Sequence, residues 1–118
     1  MPKSESLGQF EQLVLAAIAG LEDNAYGVTI HTRVEQLSGG RKVTLAAVYV
    51  TLDRLEHKGL VSSRLSAPTA ERGGRSKRCY TLVAAGERAL KEAVATARRM
   101  DDSLRAVWGV AENGWESA

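Results

Sequence analysis

The stretch from Arg41 to Tyr80 constrains the fold of this chain more than any other. Thr44 to Lys58 has helical spacing, with Leu45, Val48, Leu52 and Leu55 on one face and Ala46, Ala47, Val50, Asp53, Arg54 and His57 on the other. The Thr44 hydroxyl is a suitable N-cap, and Gly59 accepts the left-handed conformation that ends a helix. Leu60 to Ser66 alternates weakly, as a strand would, and Ala67 to Lys77 carries Pro68 and Gly73-Gly74 as turn formers. Arg78 to Val83 predicts a return strand with Tyr80 and Leu82 on one face. A helix with a narrow apolar stripe, followed by a cationic hairpin, is the outline of a winged helix-turn-helix.

The flanks extend that outline. Residues 6 to 20 predict a first helix, opened by capping-box spacing between Ser6 and Gln9. Its apolar positions, Leu7, Phe10, Leu13, Val14, Ala17, Ile18 and Leu21, form a stripe wide enough to require burial on more than one side. Residues 26 to 38 predict a second helix with Val28, Ile30, Val34 and Leu37 as its apolar positions, stopped by Ser38-Gly39-Gly40. Residues 84 to 108 predict a long final helix. In it Leu90, Ala93, Ala97, Met100, Leu104 and Val107 recur three and four apart, an a/d seam suited to pairing with another helix. Aromatics make up only 5% of the 118 residues, so the core must come from Leu, Val, Ile and Ala, which favours helices over a β sandwich. The expected fold is mainly α with a small β-hairpin wing. It divides into a winged helix-turn-helix over 1–83, a C-terminal dimerisation helix over 84–108 and a flexible tail over 109–118.

Charge is unevenly distributed. Residues 41 to 78 hold nine Lys or Arg and three acids, whereas the rest of the chain holds seven bases and eleven acids. A positive middle between acidic flanks is an electrostatic footprint for a polyanion. The single cysteine, Cys79, excludes an internal disulfide and suggests a reducing compartment. The N-terminus lacks the apolar region of a signal peptide, and the longest apolar run, Leu13 to Leu21, is too short to span a bilayer. The expectation is a cytoplasmic protein with no membrane partner.

These elements carry candidate contacts with double-stranded DNA. Small residues at Ala46 and Ala47 allow close approach to a major groove, and alanine or Val50 can touch a thymine methyl. Thr44 opens this helix, Arg54 reaches a base edge or a phosphate, and the Tyr49 hydroxyl lies within reach of a phosphate oxygen. At the hairpin tip Arg72, Arg75, Lys77 and Arg78 bracket two glycines, a loop able to follow a phosphate backbone or put arginine into a minor groove. Two recognition helices related by a two-fold axis would read a pseudo-palindromic operator. Arg98-Arg99 and Asp101-Asp102 either set the registry of such a pair or are solvated. Phe10 and Trp108 are candidates to line an effector pocket at the interface, though core packing is the commoner role for such residues.

Chemistry of other kinds finds little support. His31 and His57 fall on different helices with no metal-ligand spacing around them, and one cysteine with two distant histidines makes a poor zinc site. No nucleophile with an adjacent base is visible, so neither catalytic residues nor a cofactor are expected, and the protein is not expected to be an enzyme.

The motifs resemble those of PadR-type transcriptional regulators. Leu7-Gly8-x-Phe10-Glu11-x-Leu13-Val14-Leu15 followed by Ala25-Tyr26-Gly27 is similar to the opening of that family. Val48-Tyr49-x-x-Leu52-x-Arg54-Leu55-Glu56-x-x-Gly59-Leu60-Val61 is similar to its recognition helix, and Arg72-Gly73-Gly74-Arg75-x-x-Arg78-x-Tyr80-x-Leu82-x-x-x-Gly86 to its wing. The resemblance, over about residues 7 to 105, implies a dimeric winged helix, usually a repressor. It makes Tyr49 the family's conserved tyrosine and Arg72, Arg75 and Lys77 its wing basics. Many members place proline after that tyrosine, where this chain has Val50. The short last helix resembles the compact branch, in which some members bind planar aromatic compounds at the dimer interface.

The combined expectation is a sequence-specific, homodimeric DNA-binding transcriptional regulator, a repressor relieved by a small, aromatic effector. Two rivals are a winged-helix module whose basic wing binds an acidic protein, and a sensor that switches through the Cys79 thiol.

Overall fold

Gly8, rather than Ser6, opens the first helix in the computed structural model, which describes residues 7–66 and 76–109. Glu11 reaches back to accept the Gly8 N–H at 3.1 Å and so satisfies one of the free donors of the first turn; Ser6 lies outside the described residues. Helix α1, Gln9–Leu21, runs through the middle of the protein. Val14, Leu15, Ala17 and Ile18 are buried and Leu7, Phe10, Leu13 and Leu21 pack around them, so the wide stripe is covered from several sides.

A 3₁₀ turn, Glu22–Asn24, leads to helix α2, Gly27–Leu37. Thr29 ties its start: the hydroxyl accepts the Tyr26 N–H at 3.0 Å and donates to the Asn24 carbonyl at 2.6 Å. Ile30 and Val34 enter the core, while Val28 and Leu37 remain exposed. Val28 lies two residues from Ile30 and six from Val34, spacings that put it on a different helical face.

The turn into helix α3, Leu45–His57, is fixed by two side chains of α2. The His31 Nε2–H donates to the Val43 carbonyl at 2.6 Å, and the Glu35 carboxylate accepts the Val43 N–H at 3.0 Å. Gly39 and Gly40 both have positive φ in this turn, a backbone state that side-chain-bearing residues rarely adopt. Thr44 caps α3 as expected, its hydroxyl accepting the Ala47 N–H at 3.0 Å. The buried face of α3 is Val48, Thr51, Leu52 and Leu55; Leu45, expected on it, sits one turn too early to be covered and stays exposed.

Strands β1, Val61–Leu65, and β2, Arg78–Leu82, pair antiparallel, with Val61 opposite Leu82 and Leu65 opposite Arg78. The Tyr80 N–H donates to the Ala25 carbonyl at 2.8 Å, and Tyr26 bridges Cys79, so the segment before α2 adds to the hairpin's free edge. Tyr80 points into the core, where burial pushes its phenol pKa up against the opposing influence of Arg78.

Helix α4, Ala84–Trp108, has the extent its seam predicted. It is anchored at its start: the Val83 N–H donates to the Leu60 carbonyl at 3.1 Å, and Gly86 lies so close to that oxygen that a methyl group there would overlap it. Gly86 is the one residue of α4 that is fully covered; Leu90 packs partly on the core. The rest of the helix projects along the outside of α1, giving the Cα trace extents of 56 × 38 × 21 Å. The fold is mostly helical, with a two-stranded hairpin and a C-terminal helix, as expected for a winged helix-turn-helix.

Candidate nucleic-acid interface

One face of α3 is fixed by packing and the others are open to differing degrees. The stripe of Val48, Thr51, Leu52 and Leu55 is committed to the core. Nearly opposite it, at spacings of four, three and four residues, lie Ala46, Val50, Asp53 and His57, all exposed. Arg54 is exposed beside this ridge, and Ala47 is half-buried on the same side. On the other flank Tyr49 is 43% exposed, with its phenol against the first residue of α2. A Cβ at Gly27 would overlap the Tyr49 ring and hydroxyl, so this glycine is what lets α2 and the tyrosine approach. The Tyr49 hydroxyl therefore sits over the start of α2, where free backbone N–H groups and the helix dipole favour an anion.

Thr44 is exposed at the entry to α3, but its hydroxyl is used as the cap. Lys77 stands at the base of the hairpin, its ammonium 3.6 Å from the centre of the Tyr26 ring. Its backbone carbonyl accepts the Ser66 N–H at 2.8 Å, closing the hairpin there. Arg78 is held by Ser63, which in turn donates to the Glu56 carboxylate at 2.8 Å, linking the hairpin to α3. Arg72, Arg75 and the Gly73-Gly74 pair lie outside the described residues. The structure thus brings Ala46, Tyr49, Val50 and Arg54 onto one surface, with Lys77 tied through Tyr26 to the start of α2.

The other sequence candidates fall elsewhere. Along α4, Leu90, Ala93 and Leu104 are half-buried, Ala97 is exposed, and Met100 and Val107 are 57% and 71% exposed. A groove of about 570 Å³ runs between α4 and the start of α1, lined by Leu7, Gln12, Ala89, Ala93, Ala97 and Met100 among others. Phe10 lines a different, smaller groove with Leu13, Leu37 and Val43, and Trp108, 57% exposed, is not part of either. Within one chain, then, Phe10 and Trp108 do not share a pocket. Cys79 is a free, buried thiol on β2. Among the described residues no group of three or more His, Cys, Asp or Glu side chains could hold a metal ion, and no helix is long and apolar enough to cross a membrane.

Two supporting residues belong to the motifs quoted above, but their roles rest on contacts distant in sequence. Gly27 makes its close contact with Tyr49, twenty-two positions on. Glu11 is 8% exposed and pairs with Lys58 at 2.9 Å, joining α1 to the end of α3. Burial alone would raise its pKa. The Lys58 ammonium, the Gly8 N–H and the charge of Arg54 outweigh that and hold the carboxyl below its ordinary value.

Comparison with known proteins agrees with this geometry. The model of the transcriptional regulator PadR-like family matches residues 14–92. A PadR family transcription regulator from Clostridium difficile is similar in structure, with TM-score 0.68 at 24% identity over 86% of this chain and 99% of that one. A PadR-like transcriptional regulator from Bacillus cereus has TM-score 0.68 at 19% identity, over 83% of this chain and 89% of that one. BpsR of Bordetella bronchiseptica, whose DNA binding is regulated by 6-hydroxynicotinic acid, has TM-score 0.67 at 20% identity, over 99% of this chain and 76% of that one. At these identities the likeness is one of fold. No curated protein matches the sequence.

Proposed function

This chain belongs to the transcriptional regulator PadR-like family, and on that premise we propose that it is a homodimeric, sequence-specific DNA-binding regulator that represses and is relieved by a small aromatic effector. The observation that carries the reading is the outward ridge of α3, on which Ala46 and Val50 are exposed with Arg54 beside them, while the helix's opposite stripe is wholly buried. In this reading α3 enters the major groove. Tyr49 and the start of α2 meet the backbone, and Arg72, Arg75 and Lys77 of the wing follow the flanking phosphates.

The partner in the dimer is a second copy, paired through the α4 seam of Leu90, Ala93, Ala97, Met100, Leu104 and Val107. The exposure of Met100 and Val107 supports that pairing, because large apolar residues left open on a projecting helix favour a partner. An effector would bind where the α1–α4 groove meets the second chain, with Phe10 and Trp108 as further candidates for its lining. The likeness in fold to BpsR supports a small-molecule effector without identifying it.

The test is fluorescence anisotropy of the full chain on duplex DNA from upstream of its own gene, against a scrambled duplex, over a salt series. Wild type, Arg54→Ala and the double variant Arg72→Ala/Arg75→Ala are compared. Selective binding, weaker in Arg54→Ala, is expected; the salt slope should fall by about 0.9 for each phosphate contact the wing variant loses. Equal binding of both duplexes, together with failure to select any operator from random DNA, would favour the protein-interaction module instead. A Cys79→Ser variant with altered regulation would favour the thiol sensor.

A further inference from the structure

The first two turns of the α3 ridge present no hydrogen-bonding side chain at all. Ala46 and Val50 occupy them, both exposed, with Val50 at 55%. Polar groups appear on the ridge only at Asp53 and His57. In helix-turn-helix proteins the N-terminal residues of the recognition helix are those that reach base edges. The one apolar group that the major groove offers is the C5-methyl of thymine; guanine, cytosine and adenine show only donors and acceptors there. A valine pressed against those would strip them of water and give nothing back. The side chain is also preorganised, since valine in a helix strongly prefers one χ1 rotamer.

We propose that Val50 is a specificity-determining residue that reads the C5-methyl of one thymine in each operator half-site, with Ala46 beside it leaving room for the approach. The proposal rests on the DNA-binding reading above and adds to it the chemical group that is recognised. It also predicts that 5-methylcytosine, which carries the same methyl in the same place, substitutes for that thymine better than cytosine does.

The test begins with an operator selected by the full chain from random duplex DNA. Each thymine is replaced singly, then in symmetry-related pairs, by deoxyuracil, which removes only the methyl. Affinities are measured for wild type and Val50→Ala. One thymine per half-site should be sensitive, with binding about fourfold weaker for one replacement and about fifteenfold weaker for the pair, as expected for one buried methyl group each. The same replacement should have little effect on Val50→Ala, and replacing that thymine by 5-methylcytosine should bind more tightly than replacing it by cytosine. Selective binding with no deoxyuracil-sensitive position, or with equal sensitivity in Val50→Ala, would overturn the proposal while leaving the DNA-binding reading intact. Failure to bind any duplex selectively would overturn both.

Discussion

Helices α3 and α4 both carry an apolar stripe and an open face, yet they use them in opposite ways. In α3 the large residues Val48, Leu52 and Leu55 are completely buried within the chain, and the ridge opposite them opens with short side chains, Ala46 and Val50, with Arg54 alongside. In α4 the large residues are the ones left outside. Met100 and Val107 are more than half exposed, and only Gly86 is fully covered. A helix whose stripe is satisfied internally has a free face that can be spent on a ligand. A helix whose stripe is unsatisfied has its stability tied to whatever covers that stripe. Each helix is also seated by a glycine in close approach, Gly27 under the Tyr49 ring and Gly86 against the Leu60 carbonyl. The obstacle is the end of a side chain in the first case and backbone in the second, so the two glycines should fail differently.

Substitution of Gly86 by alanine should have the largest effect. The Leu60 carbonyl cannot swing aside without losing its bond from the Val83 N–H, so α4 must be pushed off. We expect a loss of about 2–3 kcal/mol in denaturant unfolding, typical of overpacking against a rigid neighbour. An unchanged midpoint would mean that α4 is not seated as described. Next in size, Met100→Glu should weaken self-association about a hundredfold in sedimentation, because an interface would have to bury a carboxylate. Its far-UV circular dichroism should stay close to wild type, because Met100 lies outside the core cluster. Equal dimer stability would remove the α4 seam from the pairing surface.

Gly27→Ala should separate reading from folding. The Tyr49 ring can rotate away from a new methyl group, so stability should fall by less than about 1 kcal/mol, whereas operator affinity should drop about tenfold as the hydroxyl leaves the start of α2. Tyr49→Phe should then cost much less in the Gly27→Ala background than in wild type; additive effects would break the link between these two residues. The smallest expected effect is at the Glu11–Lys58 pair. Because the Glu11 carboxyl is held below its ordinary pKa in the folded state, its contribution is present at neutral pH and is lost as pH falls through the lowered value. Glu11→Gln should cost about 1 kcal/mol at neutral pH and progressively less as acid protonates the carboxyl. A gap that widens in acid would contradict that sign.

Much of this architecture was legible in the sequence, for reasons that are local. The seam of α4 repeats from Leu90 to Val107, and the helix read over 84–108 is observed as Ala84–Trp108, while the Thr44 cap and Gly59 stop framed α3. Where two local signals competed, spacing alone could not decide. Ser6 with Gln9 has the spacing of a helix start, yet the helix begins after Gly8, where Glu11 accepts the cap N–H and also meets Lys58 from the far end of α3. Val28 and Leu45 were assigned inward by hydrophobicity, although each stands off the face or beyond the end of the surface that could cover it. At the candidate interface the outward residues of α3 followed directly from the periodicity of its core. The contacts that orient them did not, because Gly27 with Tyr49 and Lys77 with Tyr26 join residues far apart in the chain.

The central claim is that one face of α3 reads bases while α4 supplies the second reader. Selection of operators from random duplex DNA by the full-length chain tests both parts together. The account predicts enrichment of a pseudo-palindrome whose half-sites lie about one helical turn apart, as two symmetry-related recognition helices require. Enrichment of a single, unrepeated half-site would contradict the role given to α4, and the absence of any enriched sequence would contradict the role given to α3.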